Sequence, residues 1–365
     1  MDYDRAKELK AFDETKAGVK GLVDAGMMNI PKIFIRPPDE LAHESNCVKS
    51  HLQVPVIDLS GIEKHDRRRE IVDEIRIASE EWGFFQVVNH GIPVSVLDEM
   101  MNGVRAFHEQ PFEVKEEFYS RDTTKRVRWD SNYDLYLSRA ANWRDTFSIS
   151  LMLSEYIDPD EVPVPCRDSI FEYIKDASKL GDTLFELLSE ALGLKPDHLT
   201  KDMECSKGRS IVCHYYPACP EPDLTLGATK HSDPSILSIV LQDQIGGPQV
   251  LHDNQWADVQ PIAGGLVINI GDLLEVITNA KFKSVEHRVL ANRIGPRISV
   301  AVFFTGVTVP AKVYGPINEL ISEENPQVYG ECTVTEFLTN FYNKPQSKPL
   351  YDKSGLARIK PIPQE

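Results

Sequence analysis

Apolar residues at Ile71, Ile75, Ala78 and Trp82 follow one another at steps of four, three and four, a rhythm that returns side chains to one face of a helix. Leu97, Met100, Val104 and Phe107 do the same and predict a second amphipathic helix. Between the two, Phe84-Phe85-Gln86-Val87-Val88 is apolar, partly β-branched and closed by Asn89-His90-Gly91, which predicts a buried strand ending in a turn. Pro55-Val56-Ile57-Asp58-Leu59 predicts another short strand. A longer helix is expected from about Ile170 to Leu192, with Gly193 and Pro196 as its stop.

Beyond residue 205 the texture changes to short apolar runs at 211–216, 236–242, 266–270 and 297–305, separated by Gly, Pro, Asn and Asp. Closely spaced short strands of this kind predict an antiparallel sandwich or barrel rather than alternating βαβ units. The first fifty residues are polar and interrupted by Ile35-Arg36-Pro37-Pro38, so they read as an arm leading into the first strand. The expected organisation is α+β. It comprises an arm over 1–50, an N-terminal region with helices over 51–165, a bracing helix over 166–204, a β core over 205–310 and a C-terminal extension over 311–365.

Composition narrows the class of function. With 365 residues, 41% of them hydrophobic, the chain can bury one large core or two modest ones. A net charge of −16 opposes nucleic acid and anionic membrane surfaces, which leaves a small molecule as the expected partner. No stretch reaches the apolar length of a bilayer span, and MDYDRAKELK lacks the apolar centre of a signal peptide, so a cytosolic protein is expected. Its acidic surface is compatible with a monomer. Cys47, Cys166, Cys205, Cys213, Cys219 and Cys332 form no CxxC pair, so reduced thiols are expected rather than a disulfide framework or a thiolate zinc site.

The chemistry concentrates in the β half. His231-Ser232-Asp233 sets an imidazole and a carboxylate two positions apart, on the same side of an extended chain. So short a pattern arises often by chance. Ser284-Val285-Glu286-His287-Arg288-Val289 adds a strand-like run with a second histidine, which alone reads as a core histidine satisfied by a backbone carbonyl. Two histidines and one carboxylate are nevertheless the set that non-haem Fe(II) oxygenases use, leaving adjacent coordination positions open. Zinc in a hydrolase could use the same ligands. Arg297-Ile298-Ser299 discriminates between these readings, because a guanidinium and a hydroxyl on one strand face can grip a carboxylate. Val212, His214 and Tyr216 share a face upstream, which brings the Tyr216 hydroxyl into reach of the same anion; a structural hydrogen bond of a buried tyrosine is the competing account.

In this order, His-x-Asp, His287 and Arg-x-Ser, preceded by His214-Tyr215-Tyr216-Pro217-Ala218-Cys219-Pro220, resemble the plant 2-oxoglutarate and Fe(II)-dependent dioxygenases. Trp82-Gly83-Phe84-Phe85-Gln86-Val87-Val88-Asn89-His90-Gly91 is similar to the N-terminal signature of that family, and Asn269-Ile270-Gly271-Asp272 with Thr278-Asn279 is similar to a later one. Residues 11–21 and Asn142-Trp143-Arg144-Asp145-Thr146 resemble the branch of 1-aminocyclopropane-1-carboxylate oxidase homologues, which includes deacetoxyvindoline 4-hydroxylase.

The resemblance implies a double-stranded β-helix, or jelly roll, with helices of the N-terminal region packed on it. It implies Fe(II) on His231, Asp233 and His287, and 2-oxoglutarate on Arg297 and Ser299 with help from Tyr216. His214 stands where many members have Asn, and is expected to hydrogen-bond near the co-substrate. O2 is the second co-substrate and ascorbate the reductant. The implied reaction oxidises a small specialised metabolite, most simply by hydroxylation, while 2-oxoglutarate gives succinate and CO2. Period two along the last strand carries Phe303 and Thr305 onto the face of Arg297, making them candidate substrate contacts with Val212, Thr146 and Ser148. Such a wall suits a mostly apolar natural product with a few hydroxyls or an amine. Two alternatives stand beside this reading: a 2-oxoglutarate-independent oxidase like the ethylene-forming enzyme, and a non-catalytic jelly roll that binds a small molecule.

Overall fold

The structure is a computed structural model that describes residues 3–45 and 52–343. Cys47 and the ends of the arm and of the C-terminal extension lie outside the described residues.

Twelve strands build the two main sheets. Numbered in chain order they are β1 Val56–Asp58, β2 Phe84–Val88, β3 Val127–Asp130, β4 Asp145–Leu151, β5 Arg209–Tyr216, β6 Leu226–His231, β7 Leu237–Gln242, β8 Pro248–His252, β9 Gln255–Asp258, β10 Leu266–Ile270, β11 His287–Leu290 and β12 Arg297–Phe304. The larger sheet runs β1-β2-β10-β7-β12-β5-β4-β3 and the smaller β6-β11-β8-β9. Apart from the parallel β1–β2 pair, the ladders of both sheets are antiparallel. The chain therefore has the expected α+β jelly-roll fold.

Strand register sorts the side chains of the large sheet into two faces. Phe85, Ile268, Ile239, Val302, Ile211 and Ile149 stand opposite one another across six strands. All are buried in one core with Met100, Val104 and Phe107 of the helix Val94–His108 and Leu184, Phe185 and Leu188 of the helix Arg167–Ala191. The Phe185 and Phe304 rings meet edge to face at 5.6 Å. That bracing helix starts three residues before the expected Ile170 and ends one before Leu192.

The opposite face is mixed. Phe84, Val240 and Val267 pack there against Val250 and Ala257 of the small sheet, closing the sandwich at one end. Across β4, β5, β12 and β7 the same face carries Thr146, His214, Ser299 and Gln242 in one row and Ser148, Val212, Ala301 and Val240 in the next. One sheet thus has a dry face that binds the helices and a polar face that looks into the sandwich.

The arm is more structured than its polar sequence suggests. Helices Arg5–Glu14 and Gly18–Asp24 bury Leu9, Phe12 and Val19 with Ile33, Phe34 and Trp143 in a second core. Asp145 fixes the arm's course, its carboxylate accepting the N–H groups of Val19 at 2.7 Å and Lys20 at 2.8 Å. Gly18 has φ +66°, and a β-carbon there would collide with the Asp145 carboxylate, so only glycine admits this approach.

Candidate metal centre

His231 is the last residue of β6 and stands directly opposite His287, the first residue of β11, with ring centroids 4.3 Å apart. Asp233 lies two residues beyond His231, outside the strand. Ser284, Val285 and Glu286 likewise precede β11 rather than extending it. The three side chains still converge: one ligand atom from each lies within 4.8 Å of the others. Asp233 Oδ1 is 3.7 Å from His231 Nε2 and 3.6 Å from His287 Nε2.

Backbone carbonyls set the orientation of the imidazoles. His231 Nδ1 is 2.7 Å from the Thr229 carbonyl and His287 Nδ1 is 3.3 Å from that of Val285. A carbonyl only accepts, so each Nδ1 carries a proton, which leaves Nε2 as the ring nitrogen turned toward Asp233 and placed to ligate a metal. The other carboxylate oxygen, Asp233 Oδ2, accepts from Ser238 Oγ at 2.7 Å and Asn269 Nδ2 at 2.8 Å. Burial, reinforced by His287, holds His231 below the usual imidazole pKa. Burial alone would raise Asp233, but the two imidazoles and the bonds from Ser238 and Asn269 outweigh it and keep the carboxyl below its ordinary range. Neutral imidazoles and an ionised carboxylate are the states that ligate a divalent cation, and this donor set fits one.

Asp272 braces the two ligand-bearing loops. It accepts from Ser232 Oγ at 3.0 Å and Ser284 Oγ at 2.6 Å, and its own N–H donates to the Asp233 carbonyl at 2.8 Å. Ser232 sits between His231 and Asp233, and Ser284 three residues before His287. Sequence reasoning assigned no role to Ser238, Asn269 or Asp272. The available signal was the Asn269-Ile270-Gly271-Asp272 motif, two of whose polar side chains the fold buries beside Asp233.

On β12 Arg297 is 2% exposed. Its Nε donates to the Gly246 carbonyl at 2.7 Å, one terminal nitrogen to Ser299 Oγ at 3.0 Å and the other to Gln242 Oε1 at 3.4 Å. The guanidinium lies 4.8 Å from the centre of the Tyr216 ring, on the strand paired with it. No carboxylate among the described residues makes an ion pair with it. A buried cation bonded only to neutral groups is a receptor for an anion.

The other candidates fall on the same polar face. His214 stands opposite Ser299 and Thr146, with Nδ1 3.0 Å from Thr146 Oγ1, and burial pushes its pKa well down, so it is a neutral hydrogen-bonding group. Val212 faces Ser148 and Ala301, and Phe303 faces Ser210 and Ser238. Thr305 lies just past β12 with its hydroxyl bonded to the Gly208 carbonyl, so that group is committed to the backbone. A separate surface cleft of 420 Å³, lined by residues including Lys20, Glu109 and Lys115, contains none of these residues.

Comparison with known proteins gives these features a lineage. Residues 207–306 match the 2OG-Fe(II) oxygenase superfamily, and residues 54–164 match the N-terminal region described as non-haem dioxygenase in morphine synthesis. The chain is 54% identical to 1-aminocyclopropane-1-carboxylate oxidase homolog 1 of Arabidopsis thaliana, over 98% of this chain and 97% of that one. It is 56% identical to deacetoxyvindoline 4-hydroxylase of Catharanthus roseus, over 91% and 84% respectively. Among solved structures, JOX2 in complex with 2OG, Fe and JA superposes with a TM-score of 0.79 at 30% identity, covering 92% of this chain and 97% of that one. The rice dioxygenase for auxin oxidation shares the fold, with a TM-score of 0.67 at 21% identity over 79% and 94%. No helix among the described residues is long and apolar enough to cross a membrane.

Proposed function

Because the chain belongs to the 2OG-Fe(II) oxygenase superfamily and is a 2-oxoglutarate-dependent dioxygenase, we propose that it hydroxylates a small, mostly apolar plant metabolite, releasing succinate and CO2. The observation that carries the reading is a buried guanidinium without a carboxylate ion pair among the described residues, Arg297, on the sheet face whose Ser238 and Asn269 bond Asp233 of the two-histidine, one-aspartate cluster.

In this reading His231, Asp233 and His287 hold Fe(II), which when bound supplies the activation of O2 and the oxidising power for the substrate C–H bond. Arg297 and Ser299 receive the distal carboxylate of 2-oxoglutarate, with Tyr216 lying against the guanidinium. His214, neutral and tied to Thr146, fills the wall beside Ser299 without competing for the anion. Ser238 and Asn269 hold one Asp233 oxygen so that the other faces the imidazoles. Val212, Ser148 and Phe303 offer the substrate a surface with both apolar and hydroxyl contacts. The enzyme is read as a cytosolic monomer.

The test is stoichiometric. Purified protein with Fe(II), ascorbate, 2-oxoglutarate and a plant metabolite panel releases succinate in step with one oxidised product, and His231→Ala stops both. Full turnover by His231→Ala removes the assigned metal site. Ethylene from 1-aminocyclopropane-1-carboxylate without 2-oxoglutarate replaces the reading with that of an ethylene-forming oxidase.

A further inference from the structure

Arg144 lies one residue before β4 and is 8% exposed. Its neighbour Asp145 faces the arm, so alternation sends Arg144 toward the polar face, two residues before Thr146. The segment is pinned beside β6. Asn142 Oδ1 accepts the N–H of Thr229 at 2.8 Å and its hydroxyl at 2.7 Å, and the Trp143 N–H donates to the Leu226 carbonyl at 2.8 Å. Thr229 is the residue whose carbonyl orients His231.

The described residues include four buried arginines. Arg36 pairs with Glu40, Arg288 binds Gln249 and lies over Trp256, and Arg297 has three acceptors. Among the described residues the side chain of Arg144 alone of the four makes no hydrogen bond and no ion pair, and its Nε is sealed from water. A guanidinium stays charged at any working pH, and burying it uncompensated is costly. Its place beside the metal cluster follows from its neighbours: Thr146, two residues on, bonds His214, and Asn142, two residues back, holds the Thr229 whose carbonyl orients His231.

We propose that Arg144 docks the carboxylate of the primary substrate, which makes that substrate a small carboxylic acid. This rests on the dioxygenase reading and divides two anions between two buried cations: Arg297 takes the co-substrate and Arg144 the substrate. The nearby acid, Asp130, is the weaker anchor. It makes no ion pair with Arg144, and Arg128 Nε already lies 3.5 Å from one of its oxygens.

The test is calorimetric titration of the full chain loaded with redox-silent Mn(II) and 2-oxoglutarate, so that the Arg297 site is filled. The probes are 3-phenylpropionate, its methyl ester and 3-phenylpropylamine, then indole-3-acetate and its methyl ester. Acids bind at least tenfold more tightly than their esters, Arg144→Gln abolishes that preference and Arg144→Lys keeps part of it. The affinity of Arg144→Gln for 2-oxoglutarate stays within twofold, and it melts no lower than the parent, because a charge without a partner has been removed. Equal binding of acid and ester, preference for the amine, or loss of 2-oxoglutarate affinity in Arg144→Gln overturns the assignment. Failure of the parent chain to bind Mn(II) and 2-oxoglutarate overturns the dioxygenase reading as well, whereas succinate release without acid preference overturns this inference alone.

Discussion

Replacing Asp272 by alanine tests whether the loops that carry the metal-binding side chains depend on one buried carboxylate. Asp272 is 4% exposed and binds the hydroxyls of Ser232 and Ser284, which are each 1% exposed. A hydrogen bond to a charged group contributes about 1.5–3 kcal/mol, so losing both removes about 3–6 kcal/mol before water and neighbouring groups restore part of it. Some of that loss is general stability. The remainder is freedom of His231, Asp233 and His287 to leave their converged geometry, and groups that orient ligands in this way are typically worth about 10–100-fold in metal affinity, or about 1.4–2.8 kcal/mol.

The assay is anaerobic titration of Fe(II), or of Mn(II) as a stand-in, with thermal melts in the presence and absence of metal. Asp272→Ala is expected to bind metal about 10–100-fold more weakly and to gain less from it in the melt. The double variant Ser232→Ala, Ser284→Ala keeps the negative charge but removes both struts, and is expected to reproduce most of the loss. A lowered melting temperature with metal affinity unchanged would refute the bracing argument. So would weakened binding in Asp272→Ala with none in the serine double variant, which would trace the effect to long-range charge.

Three further outcomes follow from particular contacts. Arg297→Gln is expected to raise the KM for 2-oxoglutarate by about two orders of magnitude, since a charge-assisted anion site is lost; succinate release against co-substrate concentration measures it. Phe34→Ala, at a ring that is fully buried and lies 5.3 Å from Phe12 and 5.1 Å from Trp143, is expected to cost about 3–5 kcal/mol in urea unfolding. Burial raises the Asp145 pKa from 3.8 to about 6 despite its bonds to Lys20 and Val19. The folded chain therefore binds the extra proton, and the group's contribution falls as pH rises between those values, by roughly 3 kcal/mol in total. Asp145→Asn lacks this slope, so its stability relative to the parent should improve from pH 5 to pH 7; a constant difference in urea unfolding refutes it.

What was legible in the sequence depended on periodicity. The stripe Ile71, Ile75, Ala78 became the expected helix because its spacing records one buried face, and the run 84–88 became the expected strand because both of its faces are buried and its apolar residues are continuous. Trp82 falls just past its helix as the C-cap, where it stacks on His252 at 3.8 Å. Period two also aligned Arg297 with Ser299 and Val212 with His214 and Tyr216, as β12 and β5 place them. Polar residues whose partners are distant in sequence left no such trace. Asp272 reads as a solvated helix start until the fold brings Ser232 and Ser284 to it from 40 and 12 positions away. Arg144 reads as one letter of a motif until its lack of partners is seen.

The arm shows why the second kind of information matters for function. Its few apolar residues, among them Leu9, Phe12, Val19 and Phe34, are too sparse to announce a core, and the cluster they join is completed by Leu135, Trp143 and Cys219 far along the chain. The same packing reaches the metal cluster through polar contacts. Arg36 donates to Thr229 Oγ1 at 2.8 Å, Asn142 holds the same hydroxyl and the Thr229 N–H, and the Thr229 carbonyl takes the proton-bearing nitrogen of His231. The arm and the imidazole of His231 are thus joined through the single residue Thr229. The segment 142–146 is the junction: Asn142 steadies a metal ligand, Trp143 anchors the arm, Arg144 offers an uncompensated charge, Asp145 fixes the arm's backbone and Thr146 bonds His214. Five consecutive residues, the last two of them opening β4, thus serve both the scaffold and the site.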